Sequence, residues 1–348
     1  GAHENVVVGY QAAKAGATPY RAVAIGKQAL YNGTAQGTVA IGYQAGYNFT
    51  TGGNWVCIGF EAGYTHTTEG TGVAVGYRSQ KYATGGGNTS LGGHTMESSS
   101  CNGTYNTAVG EQALSVLTTG SHNTIIGAQC GDAITTGASN TAVGRQALTA
   151  CTTADDNVAI GYQALALSTT GYRNSCIGSH AGEDITTGFQ NCALGHYALA
   201  NCTDGDYNTA IGEQALRNIT GAINNDALGH AAGYDITTGN NNICVGTSSG
   251  RSSSPSGTIT TGQYNVCIGN NNITNAYIKV DWTVTSDRRD KTDIEPFKHG
   301  LSWINKLNPV TYRWDNRSDY ANGIPDGSKK GSKLNIGLIA QDEIEVEK

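Results

Sequence analysis

Few residues of this chain combine in a way that could do chemistry. The most promising group is the hexapeptide Ser286-Asp287-Arg288-Arg289-Asp290-Lys291. A serine hydroxyl is a weak nucleophile until a base takes its proton. A lysine can be that base when burial or nearby positive charge lowers its pKa. From the residue types alone a second reading fits better: Ser286-Asp287 opens a turn, and Arg288, Arg289 and Lys291 are a solvated charge run. Other candidates thin out quickly. Gly85-Gly86-Gly87 lacks the Lys-Ser/Thr and the strand–helix setting of a phosphate cradle. The nine cysteines contain no Cys-x-x-Cys pair, which disfavours zinc and redox motifs. His180, His196 and His230 read as turn or interface residues rather than ligands. No metal and no cofactor are expected.

The elements that must position this hexapeptide come from an unusual composition. The 348 residues include 49 Gly and 18 Tyr but only five Pro and one Met, and 14% are charged. Gly, Asn and Thr in such numbers mark frequent turns and short strands. The net charge of −6 leaves no basic patch, so nucleic acid is not an expected partner. No apolar run approaches the ~20 residues that span a bilayer, so no membrane insertion is expected. The first residues resemble no signal peptide and open in mid-pattern, as a piece of a longer chain would.

An internal repeat dominates. A strand-like tetrapeptide ending in Gly occurs sixteen times, at Gly9, Gly26, Gly42, Gly59, Gly76, Gly92, Gly110 and onward to Gly246 and Gly269. The spacing is 16 to 18 residues, with a last step of 23. The residue before Gly is always Val, Ile or Leu. We expect it to face a continuous apolar interior. The residue before that is Ala, Cys or Ser in all but two copies, and alternation turns it to the opposite face. Cys57, Cys176, Cys244 and Cys267 share this small slot and read as buried free thiols, which favours assembly in a reducing cytoplasm. Asn stands four residues before Gly in twelve copies, where stacked amides can form a ladder. A second segment such as Tyr162-Gln163-Ala164-Leu165 follows each Gly, and often a Thr-Thr-Gly turn after it.

Two short strands and two turns per ~17 residues fit one coil of a β-solenoid or β-roll. At ~4.8 Å per rung, sixteen rungs make a rod of roughly 75 Å. So thin a roll has little core, and we expect three chains about one axis with the small-residue faces inward. Tyr10, Tyr43, Phe60, Tyr77 and Tyr162 follow their glycines. They read as packing between rungs or chains, with a receptor- or glycan-contacting stripe as the sharper alternative. The Thr-Thr-Gly turns do not form the Thr-x-Thr array of an ice-binding face, and no calcium-roll motif occurs. Asn48, Asn102, Asn201 and Asn218 head Asn-x-Thr triplets, which a sequence rich in both residues produces by chance. The irregular stretch 79–105 and the insert 247–264 are candidates for protruding loops.

These repeats, Asn-Thr-Ala-Val-Gly110 and Val-Ala-Ile-Gly42 among them, resemble the head repeats of trimeric autotransporter adhesins over about residues 5–270. They are also similar to shafts in bacteriophage tail fibres. The resemblance implies a trimeric parallel β-roll, although coils near 17 residues exceed the shortest adhesin repeats.

After Asn270 the pattern stops and charge rises. Residues 277–284 alternate like a strand, Phe297 to Leu307 reads as a short helix behind Pro296, and Val310 to Trp314 and Asn335 to Ile339 read as strands. A last helix is expected over Ala340 to Glu347. Three blocks carry a second resemblance: Ser286-Asp287-x-Arg289-x-Lys291-x-x-Ile294, then Leu307-x-Pro-Val-x-Tyr312-x-Trp314, then Gly337-Leu-Ile-Ala-Gln341. They resemble the C-terminal intramolecular chaperone of phage tail spikes and fibres, also found in endosialidase spikes. Family members trimerise a fibre and then cut themselves off immediately before the serine. The resemblance implies Ser286 as nucleophile, Lys291 as base and Asp287 as an orienting or stabilising group, with cleavage between Thr285 and Ser286. It also implies further helix beyond Lys348.

The sequence therefore predicts an all-β, homotrimeric roll of about sixteen rungs with a small α+β domain behind it. We divide it into a shaft (1–276), a connecting strand (277–285) and an auto-processing chaperone (286–348). The expected role is that of a phage tail-fibre protein, assembled in the bacterial cytoplasm and carried on the virion. Its expected partners are its own copies, other tail proteins and a host-surface receptor or glycan. Any enzymatic act is a single-turnover self-cleavage. Alternatives are a bacterial trimeric adhesin head and, with few acids to supply carboxylate pairs, a polysaccharide-degrading tail spike.

Overall fold

The computed structural model describes residues 4–14, 20–34, 36–50, 53–65, 70–277, 309–313, 315 and 324–337. The chain divides into two units, Gly1–Ala276 and Tyr277–Lys348.

The first unit is a parallel β-solenoid. Sixteen short strands, from β1 (Val6–Val8) to β16 (Val266–Ile268), form one sheet in sequence order, each hydrogen-bonded to the strands one coil before and after. All pairs are in register. Val158, Ala159 and Ile160 of β10 (Val158–Ile160), for example, face Ser175, Cys176 and Ile177 of β11 (Ser175–Ile177). Glycine at the strand end is obligatory for two reasons. Gly161 has φ +139°, and a Cβ there would lie 2.3 Å from the carbonyl oxygen of Gly178 in the next coil.

Two expectations need correction. First, each coil has one strand rather than two. The segment after Gly is a turn, because its second and fourth residues after the Gly are left-handed: Gln163 has φ 54° and Leu165 has φ 50°. The turn still stacks like a ladder, since Gln163 N donates to Arg145 O at 3.2 Å and Leu165 N to Ala181 O at 3.1 Å. Second, the two faces of the strand are exchanged. The small residues Ala24, Ala40, Cys57, Ala159, Cys176 and Cys244 are fully buried inside the coil, whereas the Val, Ile and Leu before Gly point outward. The lumen decides this. Leu from the turn, as at Leu114, Leu148 and Leu165, and a further Leu or Ile, as at Leu117, Ile134 and Ile185, fill it from the other walls. Only an Ala-sized space remains opposite them.

The expected amide ladder is present. From Asn88 to Asn265 each Asn Oδ1 accepts the backbone N–H of the next Asn, as between Asn174 N and Asn157 Oδ1 (2.9 Å). Asn157 Nδ2 also donates to Gly171 O at 2.9 Å. Thr135, Thr152, Thr169 and Thr186 form a parallel column, each hydroxyl donating to the next Thr carbonyl at 3.0–3.3 Å. These bonds satisfy buried or bent backbone that a single narrow coil cannot.

The insert before β16 is mostly exposed but anchored: Ser254 and Ile259 are buried, while Ser252, Ser253, Pro255 and Ser256 are exposed. Gly250 N, whose counterparts donate to the turn of the following coil, donates to Ser254 Oγ (3.1 Å) and to Cys267 Sγ of the following strand (3.1 Å) instead. The stretch 79–105 turns much of its length inward, with Ser79, Gln80, Asn88, Ser90 and Thr95 buried.

In the second unit, β17 (Val310–Tyr312) pairs antiparallel with β18 (Asn335–Gly337), Thr311 opposite Ile336. Between them Asp315 Oδ2 accepts from Gly327 N at 3.0 Å. The predicted strand 277–284 beyond Tyr277 and both predicted helices lie outside the described residues.

Candidate functional site

Thr285, Ser286, Asp287 and Lys291 also lie outside the described residues, so their role stays where the sequence puts it. The other nucleophiles of the chain are its thiols. All nine cysteines are free, and all but Cys192 are buried. Burial pushes Cys101 and Cys151 up to about 11, and Cys130 and Cys202 up to about 12. Such thiols stay protonated and inert near neutral pH. Cys267 differs. Burial pushes its thiol up, but the hydroxyls of Ser256 and Ser254 and the N–H groups of Gly250 and Ser256 outweigh this and hold it below its ordinary value. It is enclosed by the end insert.

What the shaft offers at its surface is a long apolar sheet face. Most residues before Gly are exposed, up to 57% at Ile268, and Ile41, Val75, Val109, Val143 and Ile211 are half-buried. The first residue of each three-residue strand lies on the same face: Val6, Val23, Val39, then Thr107, Thr124, Thr141, Val158, and later Cys192, Ile243 and Val266. Asp226 is the one charged group in these two columns. The face runs the length of the sheet, far beyond the few hundred Å² that soluble monomers leave bare. Sequence reading assigned these residues to the interior and so missed the face.

The aromatic residues after Gly stack on one another. Tyr43, Phe60 and Tyr77 form a column with ring centroids 4.9 and 5.2 Å apart, nearly parallel. A second column, Tyr31–Tyr47–Tyr64, has spacings of 5.0 and 4.9 Å. Stacked rings cover each other's faces and present edges to solvent, which is inter-rung packing rather than a platform for sugar rings. His180 bonds Glu183 at 2.8 Å and stacks on Tyr197 at 4.7 Å. Among the described residues no group of three His, Cys, Asp or Glu is arranged to hold a metal ion, and no helix is long and apolar enough to cross a membrane.

With this geometry in view, the comparison with known families is direct. Residues 286–347 match the Peptidase_S74 family, chaperone of endosialidase, and the match begins at Ser286. No curated protein matches the chain. A parallel β-solenoid followed by a segment that matches a chaperone-of-endosialidase domain is an arrangement that fits a protein of tail-fibre or endosialidase type.

Proposed function

We propose that this chain is part of a phage tail fibre: a homotrimeric shaft for host-surface attachment, aligned by a C-terminal chaperone that then removes itself. The observation that carries the reading is the apolar face of the solenoid, in a chain whose next segment matches a fibre chaperone. A face that repeats once per coil over sixteen coils is best covered by a surface with the same axial period, and another copy of this chain has it. The count of three follows the fibres that the sequence resembles. The outward Val, Ile and Leu, rather than the small residues, then pack about the axis. Receptor or glycan contacts and docking to other tail proteins belong to the outer surface of the assembly, which is made in the host cytoplasm and carried on the virion.

In this reading Lys291 takes the proton of Ser286 Oγ, and the oxygen attacks the Thr285 carbonyl carbon. The C–N bond breaks as the proton passes to the Ser286 nitrogen, leaving an ester. One water then hydrolyses the ester to the Thr285 carboxylate and the free Ser286 hydroxyl. Asp287 orients the pair.

Mass measurement under native and denaturing conditions tests both halves. We expect wild type to give a trimer of shafts ending at Thr285, and Ser286→Ala a trimer of uncut chains. Ile177→Asp should give monomers, in which the Cys192 thiol, shielded in the trimer, reacts with a maleimide. Equal chain lengths for wild type and Ser286→Ala would sink self-cleavage, and a monomeric wild type would sink the shared axis.

A further inference from the structure

We propose that a buried polar layer of Ser79, Gln80, Ser90 and Thr95 fixes the register of the stack by specifying which coil follows which. In most coils the third and fourth residues after Gly are apolar, as at Ala29-Leu30, Ala113-Leu114, Ala164-Leu165 and Ala215-Leu216. After Gly76 they are Ser79-Gln80, after Gly92 the third is Thr95, and the Ala slot of the intervening strand holds Ser90. All four side chains are fully buried.

Their bonds to one another join successive coils, while Gln80 Nε2 and Thr95 Oγ1 also donate within their own coils, to Val73 O and Gly92 O. Ser79 Oγ bonds Ser90 Oγ and lies 2.8 Å from Thr95 Oγ1. Gln80 Nε2 donates to Ser90 Oγ at 2.9 Å and to Val73 O at 2.8 Å, while Gln80 Oε1 has no hydrogen-bond partner. The layer separates two apolar clusters, one running from Ala22 to Ala74 and the other from Ala83 to Cys267. The surface of the same junction is also specific. Glu61 pairs with Arg78 at 3.0 Å and Lys81 at 2.7 Å, and Arg78 reaches Glu97 at 3.8 Å, so ion pairs tie three successive coils.

A monotonous stack has a register problem. Where interior slots repeat, a coil can pair with its second neighbour and loop out the one between, at a similar loss wherever this happens. At the polar layer the same slip separates Ser79 from Thr95 or Gln80 from Ser90. Each buried group left unpaired disfavours the slipped chain by a factor of about 5 to 30. Well-packed apolar residues would be no less stable here, so specificity is what the layer adds. The orphan Gln80 Oε1 fits a device selected for specificity rather than for maximum stability.

Hydrogen exchange of the refolded full chain tests this. Replacing the layer with the repeat's own residues (Ser79→Ala, Gln80→Leu, Ser90→Ala, Thr95→Ala) should leave the thermal midpoint equal or higher. Peptides within 70–105 should then show two exchange envelopes, the second holding about a tenth or more of the chains, where wild type shows one. A single envelope in the variant overturns the proposal, and so does a lowered midpoint or failure to fold. Ser90→Ala alone, which strands Ser79 and Gln80, should lower the midpoint. A Ser90→Ala chain as stable as wild type also counts against it.

Discussion

The coils on either side of the polar layer solve one problem with different chemistry. Behind it, eleven stacked Asn from Asn88 to Asn265 line one buried edge, and coil after coil is 17 residues long. Ahead of it, the same slot holds Asn5, which accepts from Ala22 N, and then Ala22, Thr38, Trp55 and Gly72. There the aromatic residues do the ordering. Trp55 and Phe49 meet edge to face inside the coil (5.5 Å), Trp55 Nε1 donates to Gly70 O at 2.8 Å, and two aromatic columns run outside. One block is held by a hydrogen-bond ladder that repeats without variation. The other is held by a few large side chains, each specific to its coil. A ladder makes coils equivalent, and anchors make them distinct.

Four substitutions test that contrast. The largest effect is expected from Trp55→Ala, at about 3–5 kcal/mol, because it empties the largest anchor of the first block and removes the indole donor from Gly70 O. If exchange protection then falls evenly along the whole shaft, the blocks are one cooperative unit and the contrast fails. Next is Asn157→Ala, at about 1–3 kcal/mol, since the Asn174 N–H and Gly171 O both lose a buried partner. Thr38→Ala in the same slot of the first block should cost under about 1 kcal/mol. Equal thermal shifts for the two would show that the ladder adds nothing special. The smallest effect is expected from Tyr43→Ala, at about 0.5–1.5 kcal/mol in denaturant unfolding, for loss of the stack on Phe60.

Much of this architecture is legible in the chain. Copy number, register, the Asn ladder and the buried thiols all follow from residues at fixed distances from Gly. Which face lies inside does not. Alternation shows that Ala159 and Ile160 point opposite ways, but the choice depends on lumen volume. That volume is set by Leu165 and its equivalents, whose left-handed backbone no residue type announces. A slot that holds Ala, Cys or Ser in nearly every coil is the signal that could have settled it, since the buried Ile125 enters it beside Gly131, where the turn carries no Leu. Likewise, Ser286 and Lys291 are indistinguishable from a charged turn by type and spacing. The block pattern that continues through Tyr312 and Gln341 is what sets them apart.

The insert that takes up the Gly250 N–H at the last coil has a consequence for growth. A stack of like coils is a one-dimensional crystal, and a bare end is a template to which another molecule's first strand can add. Ser254 and Cys267 occupy the donor that the turn after Gly269 would have used, so the turn ladder stops one coil before the strands do. Extending the turn ladder at that end must first displace a folded plug. With the turn ladder capped, end-to-end growth is disfavoured, and a concentrated solution of the shaft should hold discrete particles rather than filaments.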